Sequence, residues 1–241
     1  MIETFVALIF AHVLADYLLQ PAWMVARKRN PGILLAHGAV VLAVSMAALG
    51  RVDAWQVLAL GAAHLVIDAV KTYVVRDTLA THLADQAAHV ASVLVVAFWA
   101  PGLWASGVWA EAPPVVLHLM ILGAGFLVAT RAGAFAIARL MAAQTAPGAN
   151  SEGLPKGGTM IGLLERGLIF VLILAGQAAG IGFLIAAKSI LRFGTVNENR
   201  AASEYVIIGT LASFGWAITV TLATLALRDL LPPLEIGRLR P

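Results

Sequence analysis

Long apolar runs, interrupted by short polar or Gly/Pro-rich stretches, make up almost the whole chain. A helix needs about 20 consecutive apolar residues to cross a bilayer core. Runs on that scale predict helices over residues 2–20, 32–50, 54–75, 79–100, 114–141, 159–192 and 203–230. The pattern therefore predicts an all-α polytopic membrane bundle of about seven transmembrane helices. The fifth and sixth runs exceed what a bilayer requires, so they extend beyond the membrane, or they tilt or break, with Gly176, Gly180 and Gly182 as weak points in the sixth. Residues 101–114 are apolar but rich in helix breakers, follow Trp99 and contain Trp104 and Trp109, which predicts an interfacial or re-entrant segment. Residues 142–158, with Pro147, Gly148 and Pro155, read as a linker between a four-helix N-terminal unit, 1–113, and a three-helix C-terminal unit, 114–241.

Polar positions inside the apolar runs are few and regularly spaced. His64 and Asp68 lie four apart, one helical turn, and so share a face. His12 and Asp16 repeat that spacing in the first run, and Asp85 and His89 repeat it in reverse order in the fourth. The reversal is what an antiparallel neighbour needs to match the other two level for level. His37 falls in the early half of the second run, and His82, Gln86 and Lys71 lie close to the pairs in sequence. An ionisable residue in a membrane costs of order 3 kcal/mol, so such residues persist when paired or used.

Composition sharpens this picture: 61% of residues are hydrophobic, 12% are charged and the mean hydropathy is +0.89. Soluble domains carry about 25% charged residues, so little of this chain is left for a soluble domain. With no cysteine, disulfides and thiolate metal sites are excluded. The net charge of +3 does not imply nucleic-acid binding, because the basic residues cluster at helix ends. Arg27, Lys28, Arg29, Lys71, Arg76, Arg139, Lys156, Arg166, Arg228, Arg238 and Arg240 fall on one side, and Arg51, Lys188, Arg192 and Arg200 on the other. The first side is expected to be cytoplasmic. With an odd helix count, the N-terminus is then outside and the C-terminus cytoplasmic. The first run lacks a basic lead-in and carries His12 and Asp16, so it reads as a retained helix and not a cleaved signal.

Carboxylates and neutral imidazoles projecting inward from facing helices are ligands for zinc, manganese or iron. His12, His64, Asp68 and His89 are expected to hold a divalent metal ion, with Asp16 and Asp85 as further ligands or catalytic carboxylates. The same groups also suit hydrogen-bonded helix association or a proton relay. His118, isolated toward the opposite end of the fifth helix, is expected to be structural or interfacial.

The stretches around His12-Val-Leu-Ala-Asp16 with Gln20-Pro21, Ala36-His37-Gly38, His64-Leu-Val-Ile-Asp68-Ala-Val-Lys71 and Asp85-Gln86-Ala-Ala-His89 resemble a bacterial membrane family described as domain of unknown function 3307. The resemblance covers roughly the first half. It implies a multi-helix protein of the bacterial inner membrane and no particular activity.

In the second half, Glu165 and Arg166 are expected near the cytoplasmic side with Arg131, where the arginines would hold an anionic headgroup; Arg166 equally suits an interfacial anchor that snorkels, and Arg131 an internal ion pair. Lys188 and Arg192 are expected at the opposite end, with Glu204 returning toward them as a salt-bridged hairpin or a lipid-headgroup site. These readings give two functions. One is a metal-dependent hydrolase or transferase acting on a membrane lipid or lipid-linked substrate. The other is a metal-ion or proton-coupled transporter. A structural or partner-binding membrane protein, oligomeric or not, is a third reading. Neither HExxH nor GxSxG occurs.

Overall fold

The computed structural model describes residues 1–142, 144, 157–196 and 200–234, and for 191–196 and 202 the backbone alone. The described residues form helices and connecting turns, an all-α protein. The expected linker, together with Lys156, Arg238 and Arg240, lies outside the described residues apart from its edges.

The helices are α1 (Ile2–Tyr17), α2 (Ala22–Ala26), α3 (Pro31–Leu49), α4 (Trp55–Tyr73), α5 (Leu79–Trp99), α6 (Val115–Leu127), α7 (Gly133–Ala142), α8 (Gly157–Leu174), α9 (Ala179–Val196) and α10 (Arg200–Arg228). A π-helical segment, Val128–Ala132, joins α6 to α7. Among the described residues, five stretches are long and apolar enough to cross a membrane: Pro31–Leu49, Leu79–Trp99, Val115–Ala142, Gly157–Leu174 and Ser203–Arg228. The chain is a multi-pass membrane protein.

Local chemistry explains several boundaries. Asn30 caps α3 by accepting from the Gly32 amide, and Pro31 at the first helical position has no amide to satisfy. Gly50 ends α3 at φ 65°, a conformation that side chains with a Cβ disfavour. Thr78 and Thr81 cap each other's backbone at the start of α5. In the α3–α4 connection the two guanidinium hydrogen bonds from Arg51 hold the Asp53 carboxyl below the usual carboxylate range.

Packing gathers the chain into two units. Unit 1 comprises residues 1–127 with 224–241, and unit 2 residues 128–223. In unit 1, α1 is central, packing on α3, α5 and α6, while α3 packs on α4 and α4 on α5. The core at one end joins Phe5, Leu8, Leu49, Val57, Trp104 and Leu231. The predicted interfacial segment closes that end. Thr4 donates to the Pro101 carbonyl at 2.8 Å and accepts from the Trp104 amide at 3.2 Å, and Trp109 donates to the Ala47 carbonyl. His118 lies at this same end, hydrogen-bonded to the Pro232 carbonyl, in keeping with a structural role.

Two expectations are corrected. The sixth predicted helix is two: α8 and α9 fold back at a turn where Gly176 takes φ 70°, one of the weak points named from sequence. That extra reversal changes the parity of the chain. The last turn of α10 consequently returns to the N-terminal end of unit 1, where Leu231 joins the core of Phe5 and Pro232 meets His118. The two ends of the described chain therefore lie at the same end of unit 1, and residues 235–241 lie outside the described residues.

Within unit 2 the hairpin brings Lys188 to Glu165, Nζ to Oε2 2.6 Å, where separate ends were expected. Glu204 pairs with Arg200 at 2.9 Å. The Arg192 side chain lies outside the described residues.

Candidate metal centre

Opposite the Trp104 end of unit 1, four helices deliver the paired polar residues to one place. The late half of α1 contributes His12 and Asp16, and the late half of α4 contributes His64 and Asp68. The early halves of α3 and α5 supply His37, Asp85 and His89. The antiparallel order makes these levels coincide. All four imidazoles are buried, His37 completely, and ring centroids lie 4.2 Å apart for His64 and His89, 5.0 Å for His12 and His89 and 5.2 Å for His37 and His64.

The shortest distances centre on His37 and His64, whose Nε2 atoms are 3.2 Å apart. Asp16 Oδ1 lies 3.3 Å from the first and 3.6 Å from the second. Asp68 Oδ2 lies 3.4 and 3.5 Å from the same two atoms. These atoms form two triangles sharing the His37–His64 edge. Ligands at about 2.0–2.1 Å from a tetrahedral ion are about 3.3–3.4 Å apart, so each triangle has the dimensions of one face of such a site. Three groups of ligand atoms converge closely enough to hold an ion: His12, Asp16 and His64; His37, His64 and Asp68; and Asp68, Asp85 and His89.

Hydrogen bonding leaves donors in hand. His12 Nε2, Asp16 Oδ1, Asp85 Oδ1 and His89 Nε2 are buried without a hydrogen-bond partner among the described residues. His89 Nδ1 sits 3.0 Å from the Asp85 carbonyl oxygen; donating there leaves Nε2 as the lone-pair nitrogen, the form that ligates metal.

One residue was not legible as part of the site. Lys28, read from sequence as a topology-setting cation, places Nζ 2.7 Å from Asp68 Oδ2. It belongs to the turn between α2 and α3, and no local spacing connects it with α4. Asp16, Asp68 and Asp85 bring three carboxylates to the cluster, and Lys28 brings one ammonium.

The other expected residues stand at varying removes. Gln86 donates to Asp85 Oδ2 at 3.2 Å. Lys71 turns away to Asp77 and Thr81, both at 3.1 Å, tying the end of α4 to the start of α5. His82 lies in the first turn of α5 and belongs to none of the converging groups. Arg131, Glu165, Arg166 and Lys188 are in unit 2. There Arg131 is exposed, whereas Arg166 is buried, donating to the Thr130 carbonyl at 3.0 and 3.2 Å and to Ser213 Oγ at 2.9 Å.

A family described as protein of unknown function (DUF3307) matches residues 4–127, just over half of the chain. The chain belongs to this family. Neither a curated protein nor a solved structure matches it. The part of this DUF3307 protein that matches the family holds every His and Asp of the cluster as well as Lys28, and it coincides with the N-terminal part of unit 1.

Proposed function

We propose that Asp16, His37, His64 and Asp68 hold a divalent metal ion, zinc, manganese or iron, and that the protein is a membrane-embedded metal-dependent hydrolase or transferase acting on a lipid or lipid-linked substrate. The observation that supports it best is the pair of ligand triangles sharing the His37–His64 edge, with distances of 3.2–3.6 Å. Burial supports it too: this much unneutralised carboxylate in an apolar bundle is costly without a cation. His12 and His89, adjoining the triangles, supply further nitrogen ligands, and Asp85 is the carboxylate placed to accept a proton. An ion bound there supplies Lewis acidity and lowers the pKa of water. Lys28 is the group that orients Asp68.

In this reading α1, α4 and α9 cross the bilayer with the five apolar stretches. The site lies in the cytoplasmic half of a bacterial inner membrane, because Arg27, Lys28, Arg29, Lys71 and Arg76 surround that end of unit 1. The N-terminus is then outside. Elemental analysis of the purified protein, paired with metal flux into proteoliposomes, tests the proposal. Stoichiometric metal without flux is expected. Absence of metal overturns the site, and flux turns the reading to transport.

A further inference from the structure

Unit 2 contains a cavity of about 400 Å³ that the metal centre does not use. Its size lies within the range of small-molecule sites. Arg166 reaches its wall from the middle of α8, with a relative exposure of 3%. A guanidinium carries five N–H donors, of which three are occupied: Nε and Nη2 on the Thr130 carbonyl and Nη1 on Ser213 Oγ. Both acceptors are neutral. No carboxylate among the described residues lies within ion-pair reach of Arg166, since the neighbouring Glu165 is turned to Lys188 at 2.6 Å. Lys188 also lies over the Phe214 ring, 5.5 Å from its centroid. Its charge is therefore matched, and the excess positive charge on the cavity wall is that of Arg166.

A buried cation without a counter-ion is costly, and an anion entering the cavity relieves that cost. The two N–H groups of this planar fork that have no acceptor among the described residues suit two oxygens of one oxyanion. Hydroxyls of Thr159, Tyr205 and Thr210 line the same cavity and can serve the remaining oxygens. Ile137, Met141 and Val206 make another part of its wall apolar. This combination of one net positive charge, several hydroxyls and an apolar side matches a phosphodiester attached to a hydrocarbon body. We propose that this cavity binds the phosphate group of an anionic membrane lipid through Arg166, independently of the metal centre.

The test is lipid binding to the purified full-length protein, read by native mass spectrometry and titration with phosphatidylglycerol, beside phosphatidylcholine and inorganic phosphate. Two variants remove the site differently. Arg166→Gln removes the charge. Gly209→Leu fills the cavity, because the atoms nearest a Cβ at Gly209 are those of Met141, at ordinary contact distances beginning at 3.4 Å, and it leaves Arg166 in place. Phosphatidylglycerol is expected to bind in preference to phosphatidylcholine and to weaken at least tenfold in both variants, with unfolding midpoints showing that Gly209→Leu is folded. Displacement of the lipid by inorganic phosphate, with phosphate binding equally lost in both variants, keeps the phosphate site and names free phosphate as its occupant. Equal lipid binding by the wild type and Gly209→Leu overturns the proposal.

Discussion

His37 and His64 meet Nε2 to Nε2 at 3.2 Å across the α3–α4 contact, and Asp16 and Asp68 close on that edge from α1 and α4. Removing either imidazole takes one corner from both triangles. His37→Ala and His64→Ala are therefore each expected to lower bound metal at least tenfold, whereas His118→Ala, whose ring serves the Pro232 carbonyl at the other end of unit 1, leaves metal content unchanged. Inductively coupled plasma analysis of the three purified variants decides this. Full metal content in His37→Ala would refute the shared edge.

Lys28 and a divalent ion both neutralise Asp68 Oδ2. Lys28→Met leaves a buried carboxylate without its ammonium, a change of several kcal/mol when nothing else replaces it. In chelator the variant is expected to unfold at a distinctly lower temperature than the wild type, and with metal the gap should narrow. Thermal unfolding with and without EDTA measures both. A gap that metal leaves untouched would mean that Lys28 and the ion do not share a carboxylate.

Gly38 follows His37 on α3 and faces Leu65 of α4, so closely that a Cβ at 38 would overlap the Leu65 isobutyl group, with Cγ at 2.7 Å. Gly38→Val is expected to push the helices apart, to destabilise by about 1–3 kcal/mol as overpacking does, and to reduce metal binding by separating His37 from His64. Adding Leu65→Ala should restore both properties. Failure of the double variant to regain metal while regaining stability would separate packing from the site.

Thr4 ties α1 to the segment that closes the other end, through Pro101 and Trp104. Thr4→Val keeps the volume but leaves the Pro101 carbonyl and the Trp104 amide without this partner. A loss of about 1–3 kcal/mol is expected, read by denaturation, with metal content unaltered because the site is at the far end of α1. Metal loss in this variant would show the two ends of the bundle to be coupled.

Much of this protein follows from sequence because two of its governing periods are local. Bilayer thickness sets the length of the apolar runs, and the helical turn puts His12 above Asp16, His64 above Asp68 and Asp85 above His89. The reversed order in α5 already implies a common depth, and Gly176 was legible as a weak point in a run too long for one crossing.

Which donors form the shortest contacts depends on the rotation of each helix about its own axis, which long-range packing decides. His37, a lone polar position in sequence, becomes half of the central edge because Gly38 lets α3 approach α4. Lys28 reaches Asp68 through the α2–α3 turn, and no periodicity encodes that. Whether the break at Gly176 would redirect the chain was likewise a tertiary matter: the Lys188–Glu165 pair fixes the hairpin, and the return of Leu231 to the Phe5 core places the last turn of α10 beside the N-terminus. Local spacing determined the level at which these groups lie, and only side-chain packing between helices decided which of them touch.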